Sequence, residues 1–158
     1  MSTFRFRVRQ QVNASVEDAW DFISSPANLK HITPRHMGFD ILTPDLPDKM
    51  YEGMMIEYKV WALPFFPTRW LTEITHIREG EFFVDEQRAG PYKLWHHEHH
   101  IQPTGEGVLM TDIIHYIPPM GVLGTLANYL FIRKQVQQIF KYREAALEER
   151  FPRGGLVT

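Results

Sequence analysis

The sequence contains no cysteine. Disulfide bonds, thiol chemistry and cysteine-based zinc sites are therefore excluded. It also lacks a nucleophile elbow, a phosphate-cradling glycine loop and a metalloprotease helix motif. Catalysis is consequently not the leading interpretation of this chain.

Strong charge of either sign is also missing. The chain has 17 basic and 19 acidic side chains, a net charge of −2, and no block of like charge. Neither a nucleic acid nor an anionic membrane is indicated as a partner. Arg5, Arg7 and Arg9 alternate with apolar residues, which is typical of the solvent-facing side of a strand.

No apolar run is long enough to cross a bilayer, and no signal-peptide pattern follows Met1. We therefore expect a cytoplasmic protein without stable membrane insertion. The sequence carries no signal for an oligomeric state.

The sequence does contain ample material for one core. It has 158 residues, of which 44% are hydrophobic and 13% aromatic. This composition predicts a single domain over residues 1–151, followed by a flexible tail over residues 152–158.

The last third of the chain predicts one long amphipathic helix from Val122 to Arg150. At about 1.5 Å per residue it would be on the order of 40 Å long, so only a broad surface could cover its apolar stripe. The stripe recurs at three- and four-residue steps and comprises Leu126, Tyr129, Leu130, Ile132, Val136, Ile139, Phe140 and Leu147.

The preceding segments supply that surface. Alternation from Phe4 to Val12 predicts a strand, and two short helices come after it, one capped by Ser15 and one beginning at Ser25-Pro26. Short turns then link six further strands, which predicts a curved antiparallel sheet wrapped around the helix, an α+β fold. These strands are predicted at 37–42, 53–61, 69–78, 81–88, 92–102 and 107–117.

The connector from Leu63 to Pro67 places two phenylalanines between prolines. We expect a hairpin loop folded back on the core. The alternative is an exposed gate at a cavity mouth or a lipid-touching tip.

Turn lengths predict which side chains face inward. A two-residue turn at Glu79-Gly80 places His76 opposite Phe83, and Ile74 opposite Asp85. A four-residue turn at 103–106 places His97 opposite Asp112, His99 opposite Met110 and Trp95 opposite Ile114. A slip of one residue would reverse every side chain.

With these registers, the concave face mixes aromatic with polar and charged side chains. A dry core would not tolerate this many polar groups, because each unpaired one costs about 1–3 kcal/mol. We therefore predict a cavity between the helix and the sheet. The candidate ligand-binding residues are Tyr58, Trp70, Thr72, Phe83, Asp85, Gln87, Trp95, His97, His99, Met110, Asp112, Ile114 and Tyr116.

The run from His96 to His100 divides between the two faces of a strand. His96, Glu98 and His100 are expected on the solvated face. For His97 and His99, facing Asp85 or Asp112, we expect a hydrogen-bonded network or direct ligand recognition. A two-histidine, one-carboxylate metal site is conceivable for this pair, but the favoured prediction is no metal and no cofactor.

Several segments together resemble the bacterial ligand-binding proteins of the START/Bet v 1-like superfamily (SRPBCC), some of which are described as polyketide cyclase/dehydrase-like. The resemblance implies a helix-grip fold holding a hydrophobic small molecule between helix and sheet, with no catalytic residues to transfer. It covers nearly the whole chain and is carried by Ser25–Leu29 with Ile32–Pro34, Trp70–Ile74, Phe83–Gln87, Gly90–His99 and Met110–Asp112.

The expected function is thus non-covalent binding of a hydrophobic or amphipathic molecule, such as a lipid, quinone or polyketide, by a carrier or sensor. A polyketide cyclase/dehydratase-like enzyme using a His97–Asp112 acid–base pair is an alternative, and its turnover would be lost on replacing either residue. A protein-interaction module is the third possibility. It would need an exposed apolar patch, at Phe65 and Phe66 or at Phe131 and Tyr142.

Overall fold

The computed structural model describes residues 2–63 and 66–152. Its seven strands form one antiparallel sheet in the order β1-β7-β6-β5-β4-β3-β2. The predicted α+β fold, a sheet around a long C-terminal helix with short helices after the first strand, is confirmed. The strands are β1 Phe4–Val12, β2 Asp40–Ile41, β3 Met55–Leu63, β4 Phe66–Arg78, β5 Phe82–Ala89, β6 Leu94–Thr104 and β7 Gly107–Ile117.

The segment between β1 and β2 forms the short helices. Helix α1, Val16–Ile23, begins where the Ser15 side chain accepts a hydrogen bond from the Asp18 backbone N–H. Two 3₁₀ turns come next, at Pro26–His31 and Arg35–Met37. The predicted strand at 37–42 is shorter than expected, because the second turn ends in a left-handed residue at Gly38 (φ 53°).

The C-terminal helix runs from Gly121 to Arg150 in three consecutive parts. An α-helical part, α2 (Gly121–Ala127), leads into a π-helical turn at Asn128–Ile132, and α3 (Arg133–Arg150) completes it. The residues that it buries against the rest of the protein are Gly124, Asn128, Ile132, Val136, Phe140, Arg143 and Leu147.

The predicted apolar stripe is therefore wrong over the first half of this helix. Leu126, Tyr129 and Leu130 are 55–66% exposed. Gly124 faces inward instead, since a Cβ there would lie 1.7 Å from the carbonyl oxygen of Pro119, so no larger residue fits. One turn later, the Asn128 side chain accepts a hydrogen bond from the Tyr116 hydroxyl at 2.7 Å.

Two apolar clusters flank the middle of the sheet. One joins α1 to the sheet and to the end of α3, through residues such as Trp20, Phe83 and Leu147. The other packs the middle of the C-terminal helix, including Phe140, against Trp70 and neighbouring side chains. Phe83 of the first cluster stacks on His99, so polar side chains lie at the junction of the two.

The β4–β5 register is predicted correctly only in part. Ile74 pairs with Asp85, as expected. An irregularity between Ile74 and His76 then pairs His76 with Val84 instead of Phe83. His76 is consequently exposed rather than inward, because an extra residue in one strand reverses the facing of the residues after it.

The β6–β7 register differs from the prediction by two residues. Thr104 pairs directly with Gly107, so the turn has two residues rather than four. His97 therefore pairs with Ile114, and His99 pairs with Asp112. Because the side-chain period of a strand is two residues, the predicted faces survive although the predicted pairs do not.

Two predictions fall on residues outside those described: the conformation of the connector, at Pro64 and Phe65, and that of the tail from 153 onward. Within residues 2–63 and 66–152, no helix combines the length and apolar character that a membrane span requires.

Candidate ligand-binding site

A cavity of about 150 Å³ lies between the C-terminal helix, the two 3₁₀ turns and the sheet. Strands β3 to β6 form one side, and α3 contributes Ile139, Phe140 and Arg143. The side chains around it are Leu29, Ile32, Thr33, Met37, Tyr58, Val60, Trp70, Asp85, Tyr92, Trp95, His97, His99, Ile139, Phe140 and Arg143.

One wall of the cavity is aromatic. The ring of Trp70 lies 5.3 Å from that of Trp95 and 5.6 Å from that of Tyr92, measured between centroids. Tyr58 stacks on Trp70 from the other side at 6.0 Å. The side-chain amide of Gln87 donates to the carbonyl of Tyr92 and accepts from its N–H, which fixes Tyr92 at this wall.

Next to this wall on β6 lies a buried charged cluster centred on Asp112 of β7, which holds the lining residues His97 and His99 from behind. Its Oδ1 lies 3.0 Å from Nε2 of His97, 3.1 Å from Nδ1 of His99 and 3.3 Å from Nη1 of Arg143. Asp112, His97, His99 and Arg143 are each at most 7% exposed. These three donors satisfy one carboxylate oxygen that would otherwise be costly to bury.

A second carboxylate, that of Asp85 on β5, lies on the other side of the two imidazoles. Its Oδ2 is 2.6 Å from Nε2 of His99 and 3.6 Å from Nδ1 of His97. The two imidazole rings are 3.7 Å apart. Phe83 stacks on His99 at 4.0 Å and holds its plane.

The two histidines of this cluster differ in protonation. Burial and the neighbouring charge on His99 lower the pKa of His97 to about 4, despite the carboxylates, so His97 is neutral at pH 7. Burial would also lower the pKa of His99, but its hydrogen bonds to Asp112 and Asp85 raise that pKa above the ordinary value. His99 then donates from both ring nitrogens, so its 3.4 Å approach to Nη2 of Arg143 joins two donors and is not a hydrogen bond.

The carboxylates remain ionised. Burial alone would raise the pKa of Asp112, but the charge of Arg143 and the imidazole hydrogen bonds hold it well below the usual range. Burial would also raise the pKa of Asp85. The hydrogen bond from His99 outweighs this effect, so the pKa of Asp85 is lowered as well. Both ring nitrogens of His99 face carboxylate oxygens. When His99 is protonated, its charge (+1) and that of Arg143 (+1) balance the two carboxylates (−2), and the cluster has no net charge. Such internal balance makes its burial tolerable.

Two hydrogen-bond donors beside the cavity have no partner. They are the indole N–H of Trp70 and the Nε–H of Arg143, both buried and without an acceptor among the described residues. Both side chains line the cavity. Buried donors of this kind are rarely left unpaired, so an acceptor in the cavity would remove a cost.

The structure brings together some of the predicted site residues and separates others. Six of them line the cavity: Tyr58, Trp70, Asp85, Trp95, His97 and His99. Five others contact lining residues without lining the cavity themselves. Asp112 holds the histidines, and Thr72 lies 3.1 Å from the Tyr58 hydroxyl. Gln87 holds Tyr92, Phe83 stacks on His99, and the ring of Tyr116 lies 5.9 Å from that of Trp95. Met110 and Ile114 are not among the lining residues.

Sequence reasoning missed Arg143 and the wall formed by the 3₁₀ turns and Tyr92. Arg143 had a usable signal, because it lies three residues after Phe140 and four before Leu147, on the buried stripe of α3. A lone arginine at a core position indicates a buried acidic partner. The 3₁₀ turns and the loop at Tyr92 pack against the sheet without any local signature in the sequence.

The opposite face of β6 carries a similar set of histidines and carboxylates, but these side chains are partly exposed to solvent. His96 lies 2.7 Å from Glu86, and His100 lies 2.9 Å from Glu98. The side chains of these four residues are 27–33% exposed. They form partly exposed hydrogen-bonded pairs outside the cavity, on the side of the sheet predicted to be solvated.

Comparison with solved structures identifies relatives of this architecture. A START superfamily protein from Mycobacterium smegmatis superimposes with a TM-score of 0.66 at 15% identity, covering 94% of this chain and 98% of that one. Ara h 8.0201 gives a TM-score of 0.62 at 12% identity, covering 94% and 99%. A point mutant of norcoclaurine synthase from Thalictrum, in complex with a transition-state analogue, gives 0.62 at 15% identity, covering 94% and 96%.

These similarities show the fold. The chain has the helix-grip fold of the START and Bet v 1 proteins, as the sequence resemblance implied. No protein-family model matches the sequence, and no curated protein matches it. At this level of identity the similarity does not transfer a ligand or a reaction.

Proposed function

We propose that this protein binds a small amphipathic molecule, about one aromatic ring in size and carrying an acceptor oxygen, as a carrier or sensor. The observation that supports it most directly is the pair of unpartnered donors, on Trp70 and Arg143, beside a cavity with a largely apolar and aromatic lining. Pockets with apolar walls and a few convergent polar groups are the usual sites of small-molecule recognition. The START and Bet v 1 fold of its neighbours is consistent with such a role.

The size of the cavity narrows the range of ligands. An engineered apolar cavity of roughly 150 Å³ in another protein binds benzene. Pockets for drug-sized molecules are roughly 300–1,000 Å³. The cavity here, at about 150 Å³, suits one ring with a small substituent. Of the ligands expected from the sequence, a quinone-like ring fits this space better than a lipid chain or a polyketide.

The polar end of the ligand would face Arg143 and Trp70. A carboxylate or carbonyl oxygen could accept from both of their free N–H groups, whereas the Asp85 carboxylate already accepts from His99. The ring would then lie among Trp70, Tyr92 and Trp95, where aromatic contacts add to apolar burial.

The same geometry disfavours the acid–base alternative. A general base works best with a pKa near the operating pH, and that of His97 is lowered to about 4. Both N–H groups of His99 are committed to Asp85 and Asp112. The cluster is thus built to hold charges in place, which favours binding over proton transfer.

The four tryptophans allow a direct test. Trp70 and Trp95 line the cavity, whereas Trp20 belongs to the other core cluster and Trp61 is 43% exposed. Benzoate would be titrated into protein kept metal-free with EDTA while the indole signals are followed by ¹H–¹⁵N NMR. We expect saturable shifts of the Trp70 and Trp95 signals and none at Trp61.

Matched probes and variants define the outcome. Toluene, which has no acceptor, and dodecanoate, which is too long, should each bind at least about tenfold more weakly than benzoate. Trp70→Phe, which keeps a ring but removes the donor, should weaken benzoate binding, whereas Trp61→Phe should not. Tighter binding of dodecanoate would refute the proposed ligand size, and unchanged indole signals with all three probes would refute the binding function.

A further inference from the structure

Three metal-ligand side chains converge beside the cavity. Asp85, His97 and His99 each present one ligand atom, and these atoms all lie within 4.8 Å of one another. They come from two adjacent strands, with the histidines two residues apart on the inner face of β6 and Asp85 on β5 opposite them. We propose that these three residues form a binding site for a divalent first-row transition-metal ion.

The distances between the ligand atoms are close to those around one shared ion. Oδ2 of Asp85 lies 3.6 Å from Nδ1 of His97 and 2.6 Å from Nε2 of His99. Ligand atoms about 2.1 Å from one ion are separated by roughly 3.0–3.5 Å in octahedral or tetrahedral geometry. The observed separations lie on either side of that range, so small rotations of the side chains would admit an ion.

The remaining nitrogens of both imidazoles are already oriented as metal ligands require. Histidines that bind metals almost always donate their other ring N–H to a carboxylate or carbonyl. Here Nε2 of His97 and Nδ1 of His99 face the same oxygen of Asp112, at 3.0 and 3.1 Å. Arg143 binds that oxygen from a third side, at 3.3 Å, and fixes the carboxylate in turn. The inner nitrogens, Nδ1 of His97 and Nε2 of His99, are thereby directed at Asp85. An ion bound between them would replace the proton that Nε2 of His99 shares with Asp85, so metal binding releases that proton.

The donor set selects the class of ion. Two imidazoles and one carboxylate suit Zn²⁺, Fe²⁺, Co²⁺ or Ni²⁺, whereas Mg²⁺ and Ca²⁺ prefer oxygen ligands alone. Three protein ligands leave at least one coordination position open, as in sites that bind a further ligand. Because all three residues line the cavity, that position would be accessible from it. An oxygen atom of a bound guest could fill it.

A metal at this position departs from the sequence expectation of no metal, and its binding does not depend on the proposed guest. The sequence shows only a His-x-His pair on a strand, which is a weak signal. The convergence of His97, His99 and Asp85, together with the shared acceptor Asp112, is visible only in the folded chain.

The test uses Co²⁺ alone. The full-length protein would be stripped with EDTA, dialysed and titrated with Co²⁺, with binding followed by calorimetry and by the visible absorption of the ion. We expect one ion per chain. His97→Gln, His99→Gln and Asp85→Asn should each abolish this uptake, and Asp112→Asn should weaken it about 10- to 100-fold.

The outer face of the same strand provides matched controls. His96→Gln, Glu98→Gln and His100→Gln remove potential ligands of the same types and should leave Co²⁺ binding unchanged. Circular dichroism of every variant would establish that it folds. If an inner variant does not fold, ¹⁵N NMR of the wild-type protein with Zn²⁺ replaces it, with shifts expected at Nδ1 of His97 and Nε2 of His99 but not in His96 or His100. Absence of binding, or binding that only the outer variants remove, would overturn the proposal.

Discussion

The two faces of strand β6 carry nearly the same chemistry with different consequences. On the inner face, His97 and His99 are buried against Asp85, Asp112 and Arg143. On the outer face, His96 and His100 pair with Glu86 and Glu98, all about one-third exposed. The residue types are the same on both faces. The properties of a histidine–carboxylate pair in this protein therefore depend on how much solvent reaches it.

The difference has a physical basis in the dielectric environment. Water screens the outer pairs, so each contributes little to stability. Inside, the same charges interact strongly, and each would be costly without its partners. Mutations in the inner cluster are thus expected to cost more stability than equivalent mutations in the outer one.

The largest expected effect is that of removing the central acceptor. Asp112→Ala leaves His97, His99 and Arg143 buried without their shared carboxylate oxygen, and should lower the free energy of unfolding by about 3–5 kcal/mol. Urea unfolding followed by circular dichroism would measure the loss. The outer counterpart, Glu98→Ala, should cost less than about 1 kcal/mol. Equal costs at the two positions would show that the faces do not differ as described.

An intermediate effect should appear with pH in metal-free protein. His97 has a folded pKa of about 4, below the value of 6.5 for an unperturbed histidine. Below pH 6.5 the unfolded chain binds a proton that the folded chain does not, so stability should fall between pH 6.5 and pH 4, by up to on the order of 3 kcal/mol. Unfolding free energies measured across this interval would reveal the slope.

Two variants separate this contribution from the other histidines. His97→Gln should remove most of the slope, and His96→Gln should leave it unchanged. His99 contributes in the opposite direction, because its pKa is raised in the folded state. The stability that it supplies is complete below pH 6.5 and is lost at higher pH. A stability curve that is flat between pH 4 and 6.5 in the wild type would contradict the assignment of His97 as neutral.

The smallest effect concerns the outer pairs themselves. A double-mutant cycle of Glu86→Gln and His96→Gln should give a coupling free energy of less than about 1 kcal/mol, decreasing in 1 M NaCl. The equivalent inner cycle, Asp85→Asn with His99→Gln, should give a larger coupling that salt changes little. A salt-sensitive inner coupling would indicate that water reaches the cluster.

The fold, and the side of the sheet on which most inner side chains lie, could be predicted from the sequence alone. Alternation along β6 and β7 placed His97, His99 and Asp112 on one face even though the predicted pairs were two residues out, because an even shift keeps the faces. His76 was predicted on the wrong face because a local irregularity in β4 has no signature in residue pattern.

Other features depend on tertiary packing that periodicity cannot reveal. Apolar residues around the first half of the C-terminal helix fit an inward stripe by spacing alone. In the structure, however, Gly124 packs closely against Pro119, while Leu126 and Leu130 are exposed. Phe131 is also 57% exposed, as an interaction surface would require. The cavity lies where the 3₁₀ turns meet the sheet, and its lining residues come from segments that are far apart in the sequence.

In the proposed complex, the cavity holds a small ligand whose polar end lies at Arg143 and Trp70. A crystal structure of the metal-free protein soaked with 4-bromobenzoate tests it most directly, because bromine gives an anomalous signal that locates the ring. We predict a bromine peak inside the cavity, with the carboxylate within hydrogen-bonding distance of both free donors. A peak only on the exposed surface around Leu126 and Leu130, with the cavity filled by protein side chains, would contradict it.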